Sequence, residues 1–294
     1  QALSRLIEFR QSHTKIHQPI EGINKLVNLY NERKFSTVVE QVQILIDQYP
    51  SSFYLWNILG ASATEIGMID KAIKAYKKAI SLRPDYADAY NNMGVVLKQK
   101  GKYDEAIKLH KKAILLKPEY AEAYNNLGNN FKDKKMFNEA IEAYEKAICI
   151  KPNYAQAYNN LGSTFRDHGK FTEALNACKK AISIKPDYAL AFNNMGHILS
   201  DLGKFAEALK AFEKAISIQP DYVDVYNNMG NVIRYQGDLD KAIEAYQKAI
   251  SIQPDYADAY SNMANIFIEQ GKLDAAIDAY KKVIILKPID SLAY

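Results

Sequence analysis

Apolar residues recur along this chain at helical spacing in short blocks, and the blocks themselves recur. In the block that opens at Ala155, Tyr158, Leu161 and Phe165 stand three or four positions apart, and so do Ala174, Cys178 and Ala181. That spacing lays each set on one face of a helix. Asp167, His168, Gly169 and Lys170 break the pattern between the two sets, and Pro186 closes it. Prolines fall at Pro50, Pro84, Pro118, Pro152, Pro186, Pro220, Pro254 and Pro288, each 34 residues after the last, with no insertion anywhere. Self-similarity at such a period predicts stacked helix-turn-helix units in one all-α solenoid (α-solenoid) rather than one or two globular bodies.

The period divides the chain. Residues 1–18 lie outside it, and Leu3, Leu6 and Ile7 at helical spacing predict a capping helix there. Residues 19–52 read as a degenerate capping repeat: Leu26, Leu29, Tyr30, Val38, Val39, Val42, Leu45 and Ile46 keep the spacing while the small residues are lost. Seven regular repeats follow over 53–290, at 53–86, 87–120, 121–154, 155–188, 189–222, 223–256 and 257–290. Residues 291–294 reproduce the opening of a further unit and stop, which reads as a truncated array from a longer protein. The last second helix, with Val283, Ile284, Ile285 and Leu286, is therefore expected to present an uncovered apolar face, open to self-association.

The punctuation inside each unit has physical reasons. Gly169 suits the left-handed residue that closes a helix, and a glycine recurs there at Gly67, Gly101, Gly203, Gly237 and Gly271. Lys135 departs from it, at a cost of about 1 kcal/mol for a side chain in that conformation. The proline ends each second helix, and the acid or amide after it, as in Asp85, Asn153, Asp187, Asp221 and Asp255, is expected to cap the next first helix. Gly162 and Ala174 mark a close approach of the two helices in a pair. The same small positions recur at Gly60, Gly94, Gly128, Gly196, Gly230 and, as Ala264, in the last unit.

These positions carry a resemblance. Tyr158, Leu161, Gly162, Phe165, Ala174, Cys178, Ala181 and Pro186 fall where the tetratricopeptide repeat (TPR) has its aromatic, Leu, Gly, aromatic, Ala, aromatic, Ala and Pro, and the match runs from Phe53 to Ile289 unit by unit. His110 and Cys178 depart from an aromatic kept as Tyr76, Tyr144, Phe212, Tyr246 and Tyr280. The resemblance implies a right-handed TPR superhelix whose first helices line a concave groove, and a protein-protein interaction scaffold that binds a protein or peptide ligand there.

Packing explains the glycines, alanines and most of the 21 tyrosines, but it does not explain a column of amides. Asn91-Asn92, Asn125-Asn126, Asn159-Asn160, Asn193-Asn194 and Asn227-Asn228 come in pairs, continued by Asn57 and Asn262, with Asn129, Asn231 and Asn265 one turn on. Asparagine costs a few tenths of a kcal/mol, roughly, inside a helix, so its recurrence calls for compensation. One compensation is internal, an amide bonding to the adjacent helix. The other is a row of donors and acceptors complementary to an extended peptide main chain. The row is similar to the asparagine ladder in the TPR superhelix of O-linked N-acetylglucosamine transferases. That similarity implies main-chain binding by Asn92, Asn126, Asn160, Asn194, Asn228 and Asn262, with Asn91, Asn125, Asn129, Asn159, Asn193, Asn227, Asn231 and Asn265 as further candidate binders beside them, and, as an alternative, a substrate-recruiting arm of a larger transferase (a glycosyltransferase or a sulfotransferase) whose catalytic domain is absent here.

Charge narrows the partner. Lys and Arg number 38 against 34 Asp and Glu, too mild a balance to imply nucleic acid. The acids Asp88, Glu122, Asp224 and Asp258 stand near the starts of first helices, the reverse of the cationic clamp that chaperone-binding relatives use for a C-terminal carboxylate. With Lys98, Lys132, Arg166 and Arg234 further along, a groove of mixed charge is expected. The second-helix column Lys78, Lys112, Lys146, Lys180, Lys214, Lys248 and Lys282 is interspersed with acids and reads as a solvated face. Glycines are scattered singly, and no His pairs with Ser or Cys at a motif spacing, so no catalytic residue and no cofactor is expected. Cys149 and Cys178 lie within helical patterns, and His13 and His17 lack a third ligand, so no metal is expected either. No run reaches the ~18 apolar residues of a membrane helix, which leaves a cytoplasmic setting as the expectation.

Overall fold

A computed structural model describes residues 20–287, so the capping helix expected within 1–18 and the partial repeat at 291–294 lie outside the described residues. Sixteen helices and no strand occur among them. The chain divides into two compact units, residues 1–152 and 153–294. The first holds α1 (Ile20–Asn31), α2 (Phe35–Gln48), α3 (Phe53–Glu65), α4 (Ile69–Leu82), α5 (Ala87–Gln99), α6 (Tyr103–Leu116), α7 (Ala121–Asp133) and α8 (Phe137–Ile150). The second holds α9 (Ala155–Asp167), α10 (Phe171–Ile184), α11 (Ala189–Asp201), α12 (Phe205–Ile218), α13 (Val223–Tyr235), α14 (Leu239–Ile252), α15 (Ala257–Glu269) and α16 (Leu273–Leu286).

Each odd-numbered helix forms a hairpin with the helix after it, and the turn between them is built by the backbone. At Gly169, φ is 78°, and no atom would crowd a side chain there, so the glycine answers only the left-handed conformation. Lys170 N–H reaches back to Phe165 C=O (2.8 Å) and Gly169 N–H to Arg166 C=O (2.9 Å), which satisfies two carbonyls at the end of α9. Lys135 takes the same conformation at φ 59°, and so does Arg33 at φ 61° in the degenerate repeat. Lys135→Gly is therefore expected to stabilise the first unit by about 1 kcal/mol, read as a rise in the urea midpoint at unchanged slope.

The turn between repeats differs from the sequence expectation. Tyr86, Tyr120, Tyr154, Tyr188, Tyr222 and Tyr256, not the acids before them, hold the N-cap positions, and none makes a side-chain capping bond. Tyr86 N–H closes on Arg83 C=O at 3.1 Å, so Pro84 and Asp85 are the two central residues of a β-turn. Asp85 is spent there, accepting from Arg83 Nε at 3.1 Å. Asp238 does cap a helix, accepting from Lys241 N–H at the start of α14.

Small residues let the hairpins close. Ala72, Ala106, Ala140, Ala174, Ala208 and Ala242 are fully buried, and beside them Tyr76, Tyr144, Phe212 and Tyr246 fill the space over the first-helix glycines. Within each unit, first helices of successive repeats touch: α3 meets α5, α5 meets α7, and α9, α11, α13 and α15 follow likewise. No second helix of a unit comes close to another second helix among the described residues. The first-helix layer is thus the more tightly spaced one and lies on the inner side of each unit's curve. On α16, the last described helix, Leu273, Ile277, Ile284 and Ile285 stand exposed, whereas Ile250, one repeat earlier than Ile284, packs against the core cluster that holds Ala259 and Met263 of the following helix.

Candidate functional site

On the first helices of the regular repeats, one stripe recurs at positions i, i+4, i+7 and i+11. It reads Glu122, Asn126, Asn129, Asp133 on α7, then Leu190, Asn194, His197, Asp201 on α11. On α13 it is Asp224, Asn228, Asn231, Tyr235, and on α15 Asp258, Asn262, Asn265, Glu269. A helix places such residues above one another along one face.

The paired asparagines have split fates. The first of each pair, Asn91, Asn125, Asn159, Asn193 and Asn227, is buried, with Asn57 likewise. The second, Asn92, Asn126, Asn160, Asn194, Asn228 and Asn262, is half-buried. In the first unit Asn92 Nδ2 donates to Asn57 Oδ1 (3.3 Å) and Asn126 Nδ2 to Asn91 Oδ1 (3.0 Å). In the second, Asn194 donates to Asn159 (2.9 Å), Asn228 to Asn193 (3.1 Å) and Asn262 to Asn227 (2.9 Å). Every such bond joins residues 35 apart, so each amide ties a repeat to the one before it and is itself fixed in place. This is the internal compensation, and it occupies one N–H each of Asn92, Asn126, Asn194, Asn228 and Asn262.

The next turn of the stripe belongs to the second helices. Tyr144, Tyr246 and Tyr280 hydroxyls donate to Oδ1 of Asn129, Asn231 and Asn265 at 2.8, 2.8 and 2.6 Å. Where the second helix carries Phe212, the first-helix residue is His197, whose ring stands edge-on to it at 5.7 Å between centroids. Burial, with Arg166 next in effect, holds the His197 imidazole down to about 4. Where it carries Cys178, burial pushes the thiol up to about 12, so no thiolate nucleophile is available there.

The charged ends of the stripes pair in the same 35-residue register. Lys98 meets Asp133 at 3.0 Å, and Arg166 pairs with Asp201 and Arg234 with Glu269. At the other end Glu122 pairs with Lys151, Asp258 with Lys287, and Asp224 accepts from the Tyr256 hydroxyl at 2.7 Å. The mixed groove expected from sequence is in this way largely neutralised from within. Each exposed pair is worth about 0–1 kcal/mol, so together they set register more than stability. These pairings were visible in the sequence only as charges; the signal that finds those of Lys98, Arg166 and Arg234 is an acid 35 residues after the cation.

The aromatic column is structural as well. Tyr90 and Tyr226 hydroxyls donate to the carbonyls of Pro84 and Pro220, each at 3.1 Å, and Trp56 Nε1 to that of Pro50 at 2.9 Å. Among the described residues no His, Cys, Asp and Glu gather as a set of metal ligands, and no helix is long and apolar enough to cross a membrane.

Comparison with known proteins agrees with this architecture. No curated protein sequence matches the chain. Among solved structures, a chain of the APC/C hetero-tetramer Cut9-Hcn1 gives a TM-score of 0.69 at 17% identity over 92% of this chain, which spans 53% of the matched one. Pseudomonas aeruginosa pilF gives 0.62 at 18% identity, covering 72% of this chain and 97% of the other. MamA is 31% identical over 54% of this chain and 94% of its own, with a TM-score of 0.48. Tetratricopeptide repeat models match residues 85–151, 155–188, 189–222, 211–244 and 257–290, and a further TPR repeat model matches 62–101 and 230–267. With its hairpin geometry and packing glycines matched almost without a break from residue 62 to residue 290, the chain belongs to the tetratricopeptide repeat family.

Proposed function

We propose that this interaction scaffold binds extended protein segments along the first-helix face of each unit, through Asn92 and Asn126 in the first and Asn160, Asn194, Asn228 and Asn262 in the second. What carries the reading is that Asn92, Asn126, Asn194, Asn228 and Asn262 are half-exposed, recur at one place on successive first helices, and are each held by one hydrogen bond to a buried asparagine. A side chain already fixed loses little rotamer freedom on binding. An amide offers an acceptor and a donor side by side, the complement of a peptide unit whatever its side chains. Asn91, Asn125, Asn159, Asn193 and Asn227 then act as positioning residues behind the row, and Asn129, Asn231 and Asn265 hold the tyrosines and contribute second.

The test compares the exposed and the buried member of one bond, using peptides selected by the chain from a random library displayed on phage. Asn194→Ala should weaken capture about tenfold, ~1.4 kcal/mol, while Asn159→Ala, which removes the same hydrogen bond from the buried side, should cost at least as much stability but less affinity. Equal losses of affinity in proportion to stability would make the row structural and nothing more.

A further inference from the structure

Three departures from the repeat pattern meet at the step from α11 to α13. The first is at the amide row. Asn228 Nδ2 carries two N–H groups, and both are taken, by Asn193 Oδ1 at 3.1 Å and by His197 Nε2 at 2.9 Å. An amide nitrogen only donates, so Nε2 accepts and the imidazole proton sits on Nδ1. Asn228 therefore has only Oδ1 left to offer a ligand. Asn194 and Asn262 spend one N–H each, on Asn159 and Asn227, and keep a donor beside the acceptor.

The second departure is at the charge row. Arg166 pairs with Asp201 and Arg234 with Glu269, but between them the corresponding positions are Ser200 and Tyr235, so cation and acid are lost together. Every other regular repeat has Glu, Gln or Asp where this one has Tyr235: Glu65, Gln99, Asp133, Asp167, Asp201 and Glu269. The third is that Tyr235 is 76% exposed, with its ring stacked on Phe205 at 6.1 Å and 9°. One exposed aromatic is ordinary. Here, though, it lies on the same stripe as Asn228 and Asn231, and an uncharged ring replaces an ion pair at the step where the amide has lost its donor. From Asn228 to Tyr235 is roughly 10 Å along the helix, at about 1.5 Å per residue, within reach of a large side chain carried on a main chain at Asn228.

We infer that the α11–α13 step is a selective subsite: it takes a peptide segment that presents a main-chain N–H to Asn228 Oδ1 and lays an uncharged aromatic or aliphatic side chain on Tyr235. This rests on the peptide-binding reading above. Proline, which has no N–H, is excluded opposite Asn228, whereas the neighbouring rungs can still donate to its carbonyl. A charged side chain finds no partner at this step, and an aromatic one gains a stacked ring.

Phage selection from a random peptide library tests it, with the whole chain, with Ser200→Lys plus Tyr235→Asp, and with His197→Ala. The double substitution places here the Lys–Asp pair that Lys98 and Asp133 make three repeats earlier, at one half-buried and one exposed position, and thermal unfolding checks that both variants remain folded. The unaltered chain should enrich an aromatic or aliphatic residue roughly fivefold at one aligned position and exclude proline near it. The double variant should lose the enrichment while still selecting peptides, and His197→Ala, which frees an Asn228 N–H, should admit proline. Either variant keeping the original consensus overturns the subsite, with the loss at Asn194→Ala still standing. If the unaltered chain selects nothing, or Asn194→Ala has no effect on capture, the underlying peptide-binding reading falls and the subsite with it.

Discussion

Gly230→Ala is expected to lower the unfolding free energy by roughly 1–3 kcal/mol, although it adds only a methyl group to a helix and alanine is the better helix former. A Cβ at Gly230 would stand 2.5 Å from Tyr246 Cε1. The ring has nowhere to go: Tyr246 is fully buried between α13 and α14, and its hydroxyl is held by Asn231 Oδ1 at 2.8 Å. Burial holds that hydroxyl up at about 12, so it stays protonated and remains a donor throughout the usable pH range. Either the hairpin opens or the Tyr246–Asn231 bond breaks, and both loosen the stripe on which the proposed groove depends.

The chain contains its own comparison. Ala264 stands where the other regular repeats have glycine, and its partner Tyr280 is only half-buried, while Tyr76, Tyr144 and Tyr246 are 2% exposed or less. An alanine is thus accommodated where the ring can sit further out, on the last described hairpin. Gly162→Ala should fall between, because Cys178 Sγ at 2.7 Å is a smaller neighbour but the Ala174 carbonyl at 3.1 Å belongs to the backbone. Urea unfolding of the three variants Gly230→Ala, Gly162→Ala and Gly230→Ala with Tyr246→Leu orders these costs. If Gly230→Ala leaves the midpoint where it was, the ring is not locked, and the close approach has no energetic weight.

How much of this was legible in the sequence depended on whether a rule acts within one repeat or between two. The hairpin, its closing glycine and the Gly–Ala contact obey rules that operate inside 34 residues, and repetition makes the hairpin visible seven times and each of the other two six times. Arg33 takes the turn conformation without showing it, because its repeat has lost the small residues that set the register. The cap was misplaced for a related reason. An acid after proline looks like an N-cap, but proline at the second position of a β-turn commits the acid to the third, and Tyr86 is left at the helix start. The amide pairs were recognised as unexplained by packing, yet neighbours on a helix point about 100° apart, so one member is buried and the other half-exposed. Their partnership, first asparagine with the second asparagine of the next repeat, is a 35-residue relation, one more than the period. The ion pairs of Lys98, Arg166 and Arg234 share that offset, and so does the paired loss at Ser200 and Tyr235.

His110 should make the first unit acid-sensitive well above the range in which carboxylates titrate. It occupies the second-helix position that is Tyr144 one repeat later, is fully buried, and has Asn91 Oδ1 3.2 Å from Nδ1. That oxygen also accepts from Asn126 Nδ2, so it is the acceptor and Nδ1 carries the proton. Nε2 is enclosed with no hydrogen-bond partner and has no room to gain one, since Gly94 lies against the ring. Burial, with Lys98 second, holds the imidazole down to about 3. The folded chain therefore keeps His110 neutral, while the unfolded chain protonates it near the ordinary value of about 6.5. Stability from this group is complete above that value and is lost as pH falls toward the folded one, because the unfolded state binds the extra proton. Between about pH 7 and pH 5 the loss should reach about 2 kcal/mol. His197, held down to about 4 by its burial, acts in the same direction in the second unit. His110→Phe, which places in α6 the residue that Phe212 already is in α12, removes the titrating group while Asn126 still satisfies Asn91. As pH drops from 7 to 5, the urea midpoint of the native chain should fall relative to that of His110→Phe by the equivalent of about 2 kcal/mol. Parallel pH profiles would mean that His110 is protonated in the folded chain, and that its Nε2 has found a partner by moving the helices apart.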